Sequence, residues 1–168
     1  NYADFRAQER TYQLLEQVAG RAGRYSEGAK VVVQTMNENN TIFQTIKAHS
    51  FDGFFKEELI LRELCQCPPF SKMAMLFFSC RFRERLVKEI SQVAMNLQKT
   101  IDEHFPEVRM LGPAPLGIEK KANQFTWGIM LKTTDVSQLH KLLEGFEGGY
   151  QKPPNISYKI DVDPLQVL

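Results

Sequence analysis

Apolar positions recur every three or four residues near the start of the chain, a spacing typical of amphipathic helices. This spacing predicts one helix from Asp4 to about Arg21, ended by Gly20 and Gly23, and a second over 51–64. The first helix would place four apolar residues on one face: Leu14, Leu15, Val18 and Ala22. The β-branched run 30–36 predicts a largely buried strand. Asn40 or Thr41 can cap a short helix that runs to about His49.

The pattern changes after Pro68-Pro69, a pair that disfavours helix on either side and therefore marks a domain boundary. Strands are predicted over 72–80, 108–112, 124–133 and 156–162, the second broken by Gly112-Pro113-Ala114-Pro115. Helices are predicted over 84–105 and from Asp135 or Ser137 to about Gly145. The order β-α-β-β-α-β predicts an α+β, ferredoxin-like domain, with an antiparallel or mixed sheet and both helices on one face.

Composition narrows the class of protein. Hydrophobic residues make up 43% and charged residues 24% of the 168 residues, as in globular chains, which excludes a disordered tail or a disulfide-rich miniprotein. With 21 Lys and Arg against 20 Asp and Glu, any phosphate contact must come from local clusters. Three cysteines predict reduced thiols, and no apolar run approaches the roughly 20 residues of a membrane-spanning helix. The absence of an initiator methionine suggests a piece of a longer protein.

One segment stands out chemically, because it clusters arginines on a helix. At 100° per residue, the polar side chains of one arc are Arg10, Gln13, Gln17, Arg21 and Arg24. Gly20 and Gly23 beside them would let another surface come close. Two guanidinium groups so placed suit a phosphate, since each offers a planar fork of donors. The alternative is a solvated arginine face on a helix that ends in glycine.

The segment Gln17-Val-Ala-Gly-Arg-Ala-Gly-Arg24 resembles motif VI of superfamily 2 helicases. The longer pattern is similar to the PriA family of replication-restart helicases (primosomal protein N-prime), and it extends over essentially the whole chain. The matching segments are 4–10, 13–15, 32–35, Glu57-Glu58-Leu59 with Arg62, Pro68-Pro69-Phe70, 111–115, Phe125-Thr126-Trp127 and 161–164. The resemblance implies that 1–50 is the end of the second RecA-like lobe, 51–67 a connecting helix, and 68–168 a C-terminal domain that binds DNA or partners.

The resemblance also implies chemical roles. Arg24 would be the arginine finger on the γ-phosphate of ATP, Arg21 a second phosphate contact, and Gln17 a polar contact that couples the lobes. ATP and Mg²⁺ would serve the full-length enzyme, a 3′-to-5′ DNA helicase of the bacterial cytoplasm and nucleoid. Zinc would bind a cysteine cluster upstream of Asn1, with no cofactor in this chain. Because the chain has no G-x-x-x-x-G-K-[ST] loop, we expect it to hydrolyse no ATP alone.

Two basic clusters are candidate DNA contacts. Lys120 and Lys121 lie near Phe125 and Trp127, a combination that can follow a phosphate backbone and stack a base. The alternative is that Trp127 and Phe125, which share one face of a strand, belong to the core. The second cluster, at a strand-to-helix turn, contains Arg81, Arg83, Arg85 and Lys88. The alternative there is a solvated helix start.

The resemblance implies several partners: branched or single-stranded DNA, the acidic C-terminal tail of single-stranded DNA-binding protein, and other primosome proteins. The helix from Asp135 offers only His140 and Lys141 as basic residues for such a tail. The apolar stripe of the first helix would pack on strands upstream of Asn1, so the isolated chain is expected to fray there or to self-associate. The rival class is a non-catalytic ferredoxin-like module that binds protein or RNA.

Overall fold

The computed structural model describes residues 4–25, 30–48 and 50–164, without the side chains of 23–25, 118, 119 and 121. The helices are α1 (Ala7–Tyr25), α2 (Thr41–Lys47), α3 (Phe51–Leu64), α4 (Arg83–His104) and α5 (Val136–Gly149). The strands are β1 (Lys72–Cys80), β2 (Arg109–Lys121), β3 (Gln124–Thr133) and β4 (Ser157–Val162). The chain divides into two compact units, Phe5–Cys65 and a second that begins at Gln66.

The first unit is a small helical assembly held by aromatic packing. Tyr12 of α1 stacks on Phe54 of α3 with ring centroids 4.3 Å apart, and buried Ile42 of α2 joins them. The side chain of Asn40 accepts a hydrogen bond from the backbone N–H of Ile42, and Ser50 accepts one from Gly53. These N-caps satisfy donors that the helix itself leaves free, so α2 and α3 begin where the sequence predicts.

The predicted buried strand over 30–36 is wrong: these residues form neither strand nor helix, and their side chains are exposed. Val32 retains 91% of its accessible surface. A β-branched run becomes a strand only beside another strand that pairs with its backbone groups, and no strand occurs among the described residues of this unit. Helix α1 also continues through Gly20 and Gly23 to Tyr25, beyond its predicted end.

The second unit confirms the α+β prediction. Its sheet has the order β2-β3-β1-β4, every neighbouring pair is antiparallel, and α4 and α5 share a core with one face. That face consists of alternate residues of the two central strands: Ala74, Leu76, Phe78 and Cys80 of β1, and Ile129 and Leu131 of β3. A period of two along each strand therefore produces the ferredoxin-like layer of helices on one side of the sheet.

Strand β2 is longer than predicted, because the Gly-Pro segment interrupts its pairing without ending the strand. Its register against β3 shifts between Leu111 and Ala114 and again between Pro115 and Lys120. Proline is tolerated there because β2 lies at the edge of the sheet and pairs on one side only. Leu116 folds over Gly128, where a Cβ atom would lie 2.9 Å from Leu116 Cδ1. Any larger residue at this position would force the Leu116 side chain to shift.

Helix α5 also exceeds its predicted end at Gly145 and continues to Gly149. Phe146 packs on Tyr150 with ring centroids 4.9 Å apart, and Tyr150 in turn contacts Tyr158 of β4. This apolar contact holds the last turn in place despite its glycines. Among the described residues, no helix is both long and apolar enough to cross a membrane.

Candidate functional site: an arginine helix and a basic sheet end

Helix α1 carries the predicted phosphate contacts. Gln17 and Arg21 lie one turn apart on it, and both side chains are exposed. A Cβ atom at Gly20 would meet nothing within 4 Å, so the surface beside Arg21 is open. Arg24 lies in the last turn of the same helix, and its side chain is outside the described part. Positions 17, 21 and 24 follow the i, i+4, i+7 spacing of a single helix face.

Opposite charges tie α1 to α3. Arg62 donates from Nη2 to Glu9 Oε2 at 2.7 Å and from Nε to Glu58 Oε1 at 2.9 Å. Burial alone would lower the pKa of Arg62, but its hydrogen bonds to Glu9 and Glu58 raise it. The pKa of Tyr12 is also raised, mainly by burial and further by the nearby Glu16 carboxylate. These contacts fix the orientation of α1 and leave the face of Gln17 and Arg21 towards solvent.

The apolar stripe of α1 is only partly covered by the described residues. Leu14 is 59% exposed and Val18 is 43% exposed, while Leu15 and Ala22 are half-buried. The buried contact of α1 in this unit is made by Tyr12. The residue of α1 that is buried in this unit, Tyr12, is therefore not one of the four residues of the predicted apolar stripe.

Register brings the two predicted basic clusters to one end of the sheet. Cys80 at the end of β1 pairs with Phe125 of β3, and Phe125 pairs with Lys120 of β2. The turn that follows Cys80 therefore lies at the same end as Lys120. We call the exposed cations there the basic rim: Arg81, Arg83, Arg85, Lys88 and Lys120. The side chain of Lys121 lies outside the described part.

The aromatic residues at this end lie beneath cations. Trp127 is half-buried, packs against the core under α4, and has Arg83 Cζ 5.7 Å from its ring centroid. Lys120 Nζ lies 5.2 Å from the ring centroid of Phe125, which is also half-buried. Both rings are thus parts of the domain's own packing, stabilised by cation–π contacts.

One residue of this site was missed by the sequence analysis. Phe82 lies between β1 and α4 and is 62% exposed, with Arg85 Cζ 6.0 Å from its ring centroid. The available signal was the alternation Arg81-Phe82-Arg83, since an aromatic residue between two arginines has no apolar neighbour in sequence. Its exposure identifies a large apolar group at the centre of the basic rim.

The cysteines and the carboxylates at the end of β4 have structural surroundings. No cluster that could hold a metal ion occurs among the described residues. Cys65 is exposed, Cys67 and Cys80 are buried, and Lys132 Nζ lies 3.5 Å from Cys67 Sγ. Asp163 pairs with Lys72 at 2.8 Å and Asp161 with Lys159 at 3.1 Å, as expected for polar groups at a strand end.

A groove of about 510 Å³ runs between α4 and α5. Leu97, Leu142 and Phe146 contribute apolar surface, and Lys141 lies on its border. The groove is open at Gly145, where an added Cβ atom would meet no atom within 4 Å. The groove can therefore take an apolar side chain next to a cation.

Known proteins resemble this chain along most of its length. A family model described as the Primosomal protein N C-terminal domain matches residues 63–165. Proteins named Replication restart protein PriA from Synechocystis sp. and Rickettsia conorii are 32% and 35% identical over 99% and 98% of this chain. The PriA of Haemophilus influenzae is 35% identical over 96%. The chain spans 20% to 24% of the length of these relatives. By this match the chain belongs to the PriA family, whose C-terminal domain it contains.

Proposed function

We propose that this chain is the C-terminal part of an ATP-dependent 3′-to-5′ DNA helicase that restarts stalled replication forks and helps assemble the primosome. The observation that carries the proposal is the exposed face of α1, where Gln17 and Arg21 lie one turn apart in a chain of the PriA family. In this proposal the chain has three parts: residues 1–50 complete a RecA-like lobe, residues 51–67 connect that lobe to the next domain, and residues 68–168 bind DNA or partners.

In this proposal the α1 face completes an ATP site whose phosphate loop lies elsewhere in the longer protein. Arg24 contacts the γ-phosphate, Arg21 makes a second phosphate contact, and Gln17 couples the lobes. A guanidinium stabilises the charge that develops on the transferring phosphoryl group, and such a group accelerates hydrolysis by about 10³–10⁵. ATP with Mg²⁺ supplies the phosphoryl chemistry, and zinc belongs to a separate upstream cluster.

The basic rim is the proposed DNA contact of the C-terminal domain. Its exposed cations offer donors to the phosphates of branched or single-stranded DNA, together with Lys121. Trp127 would support this contact indirectly, by holding Arg83 in place over its ring. A small number of cations at one end of the sheet is consistent with a domain that orients DNA, while the rest of the enzyme supplies most of the affinity.

Protein partners would use other surfaces. The groove between α4 and α5 is the proposed site for the acidic, hydrophobic tail of single-stranded DNA-binding protein, because apolar residues and the cation Lys141 line it, and its carboxylate Glu89 is hydrogen-bonded to Tyr150. His140 on the same helix is exposed but is not among the residues that line the groove. The stripe of Leu14 and Val18 would be covered by upstream strands of the longer protein, or by self-association when those strands are missing.

The test replaces Arg24 in the full-length parent. Arg24→Ala should lose most DNA-stimulated ATPase activity, by at least about 10³, while ATP still binds, because the finger acts on the transition state. Arg24→Lys is the matched variant, since it keeps the charge and loses the planar fork. Full turnover by Arg24→Ala would remove this helix from the mechanism. ATP-independent function of the parent would instead favour a non-catalytic ferredoxin-like module that binds protein or RNA.

A further inference from the structure

We propose that Phe82 stacks on an unpaired nucleotide base, while the arginines around it hold the neighbouring phosphates. The inference rests on the proposed DNA-binding function and deepens it, because it names single-stranded nucleic acid as the ligand of the basic rim. It also assigns the base contact to a residue other than Trp127.

The ring of Phe82 is presented on a fixed backbone. Its own N–H donates to Cys80 Sγ at 3.4 Å, and its carbonyl accepts from the N–H of Leu86 at 3.1 Å. The first contact ties the residue to the end of β1 and the second to the first turn of α4. A ring that is 62% exposed on such a support offers apolar surface without the cost of ordering a loop.

The charges around Phe82 suit a phosphate backbone. Arg81 and Arg83 flank it in sequence, both exposed, and Arg85 lies 6.0 Å from the ring centroid. The carboxylate within this segment is Glu84, in the first turn of α4, where a negative charge is favourable. Aromatic rings among cations are the usual means of binding single strands, since every base has a π-face.

The other rings at this end of the sheet are less suited to a base. Trp127 and Phe125 are half-buried against the core, and each has a cation over its ring, Arg83 and Lys120 respectively. A base that stacked on either ring would have to displace that cation and its cation–π contact. Phe82 also has a cation nearby, with Arg85 Cζ 6.0 Å from its ring centroid, but its ring is 62% exposed and is not packed into the core as the other two rings are, so a base can reach it without opening the core.

The experiment compares two labelled strands of equal charge, an oligothymidine of about 15 nucleotides and an abasic strand of the same length, by fluorescence anisotropy with this chain. We expect the oligothymidine to bind more tightly. Phe82→Ala should weaken its binding on the order of tenfold, leave the abasic strand unaffected, and remove the difference between the strands. Phe82→Tyr, which keeps an aromatic ring, should preserve the difference.

Phe70→Ala is the matched control. Phe70 is also exposed, at 39%, but it precedes β1 at the end of the strand opposite to Phe82, a span of roughly 25–30 Å. It should change neither affinity, and melting curves should show that all variants remain folded. Equal binding of both strands by the unmodified chain, or an unchanged preference in Phe82→Ala, would overturn the stacking role. If Arg85→Glu then still abolished binding, the DNA-binding function would stand without it. Failure of the unmodified chain to bind either strand would contradict both proposals.

Discussion

Tyr150 illustrates how much one residue contributes to the C-terminal domain. Its hydroxyl donates to Glu89 Oε1 at 3.0 Å, which joins the end of α5 to α4. Its ring packs against Phe146 and Tyr158. Burial, followed by the hydrogen bond and the negative charge of Glu89, raises the pKa of Tyr150 well above its ordinary value near 10. The protonated hydroxyl is therefore part of the folded state.

Tyr150→Phe should lower the free energy of unfolding by about 1 kcal/mol at neutral pH, because the partly buried Glu89 loses its donor. In the unmodified chain the unfolded Tyr150 ionises first as pH rises above about 10, so the folded state binds more protons and stability falls. The variant should lack this part of the alkaline loss. Urea unfolding from pH 7 upward measures both effects, with Tyr158→Phe as the control that keeps the bond to Glu89. Equal stability of Tyr150→Phe and the unmodified chain would contradict the role of the hydroxyl.

At the residue scale, the sequence identified the charged residues of the site, but it did not identify which side chains contact one another. The cations of the basic rim could be named from local clustering alone. The placement of Arg83 over Trp127 could not, because it depends on the pairing of β1 with β3 and joins residues far apart in sequence. Phe82 was missed for a related reason, since exposure of an aromatic side chain is decided by what packs beside it.

At the scale of elements, prediction succeeded where a local signal defined the element. Helix α3 (Phe51–Leu64) and strands β1 and β3 have the predicted bounds. The signals that define them are local in sequence: a serine caps the start of α3, and apolar runs between turn residues mark the two strands. The predicted strand over 30–36 was wrong because a strand needs a neighbouring strand to pair with. The predicted β2 was too short because its prolines were interpreted as the end of the strand. Both errors concern pairing, which a single segment does not encode.

Helix α1 is half-supported, and its stability should reflect this. Tyr12 and the Glu9–Arg62 ion pair secure its first half, while Leu14 and Val18, about half exposed, forgo roughly half of the 1.5–3 kcal/mol that full burial of each side chain would contribute. Hydrogen exchange of the dilute chain should therefore find the amides of 14–25 far less protected than those of β1 and β3. In the full-length protein the same amides should gain protection. Equal protection of both segments in a dilute monomer would show that this chain covers its own stripe.

At the scale of the whole molecule, the net charge of +1 gives no general attraction to nucleic acid. Binding must come from the five cations of the basic rim and from Lys121, so its salt dependence has an upper bound. For single strands the logarithm of the affinity falls by about 0.7 per phosphate contact for each tenfold rise in salt, so six contacts give a slope no steeper than about 4.2.

Anisotropy titrations between roughly 0.05 and 0.3 M salt measure this slope. Lys120→Ala should reduce it by about 0.7, since it removes one contact. Lys99→Ala, which removes an exposed lysine of α4 about three turns beyond Lys88, is the control and should leave the slope unchanged. A slope much steeper than the bound would mean that cations elsewhere in the chain carry the binding.

The irregular edge strand β2 also bears on how this domain behaves at high concentration. An exposed strand edge can pair with the edge of another molecule and begin aggregation. Pro113 and Pro115 lack the N–H groups that such pairing needs, and the two register shifts interrupt the row of donors and acceptors on this side. The opposite edge, β4, has only six residues and carries Lys159 and Asp161. Both edges of the sheet therefore resist strand-to-strand association, so a high local concentration would not by itself drive these domains into fibrous assemblies.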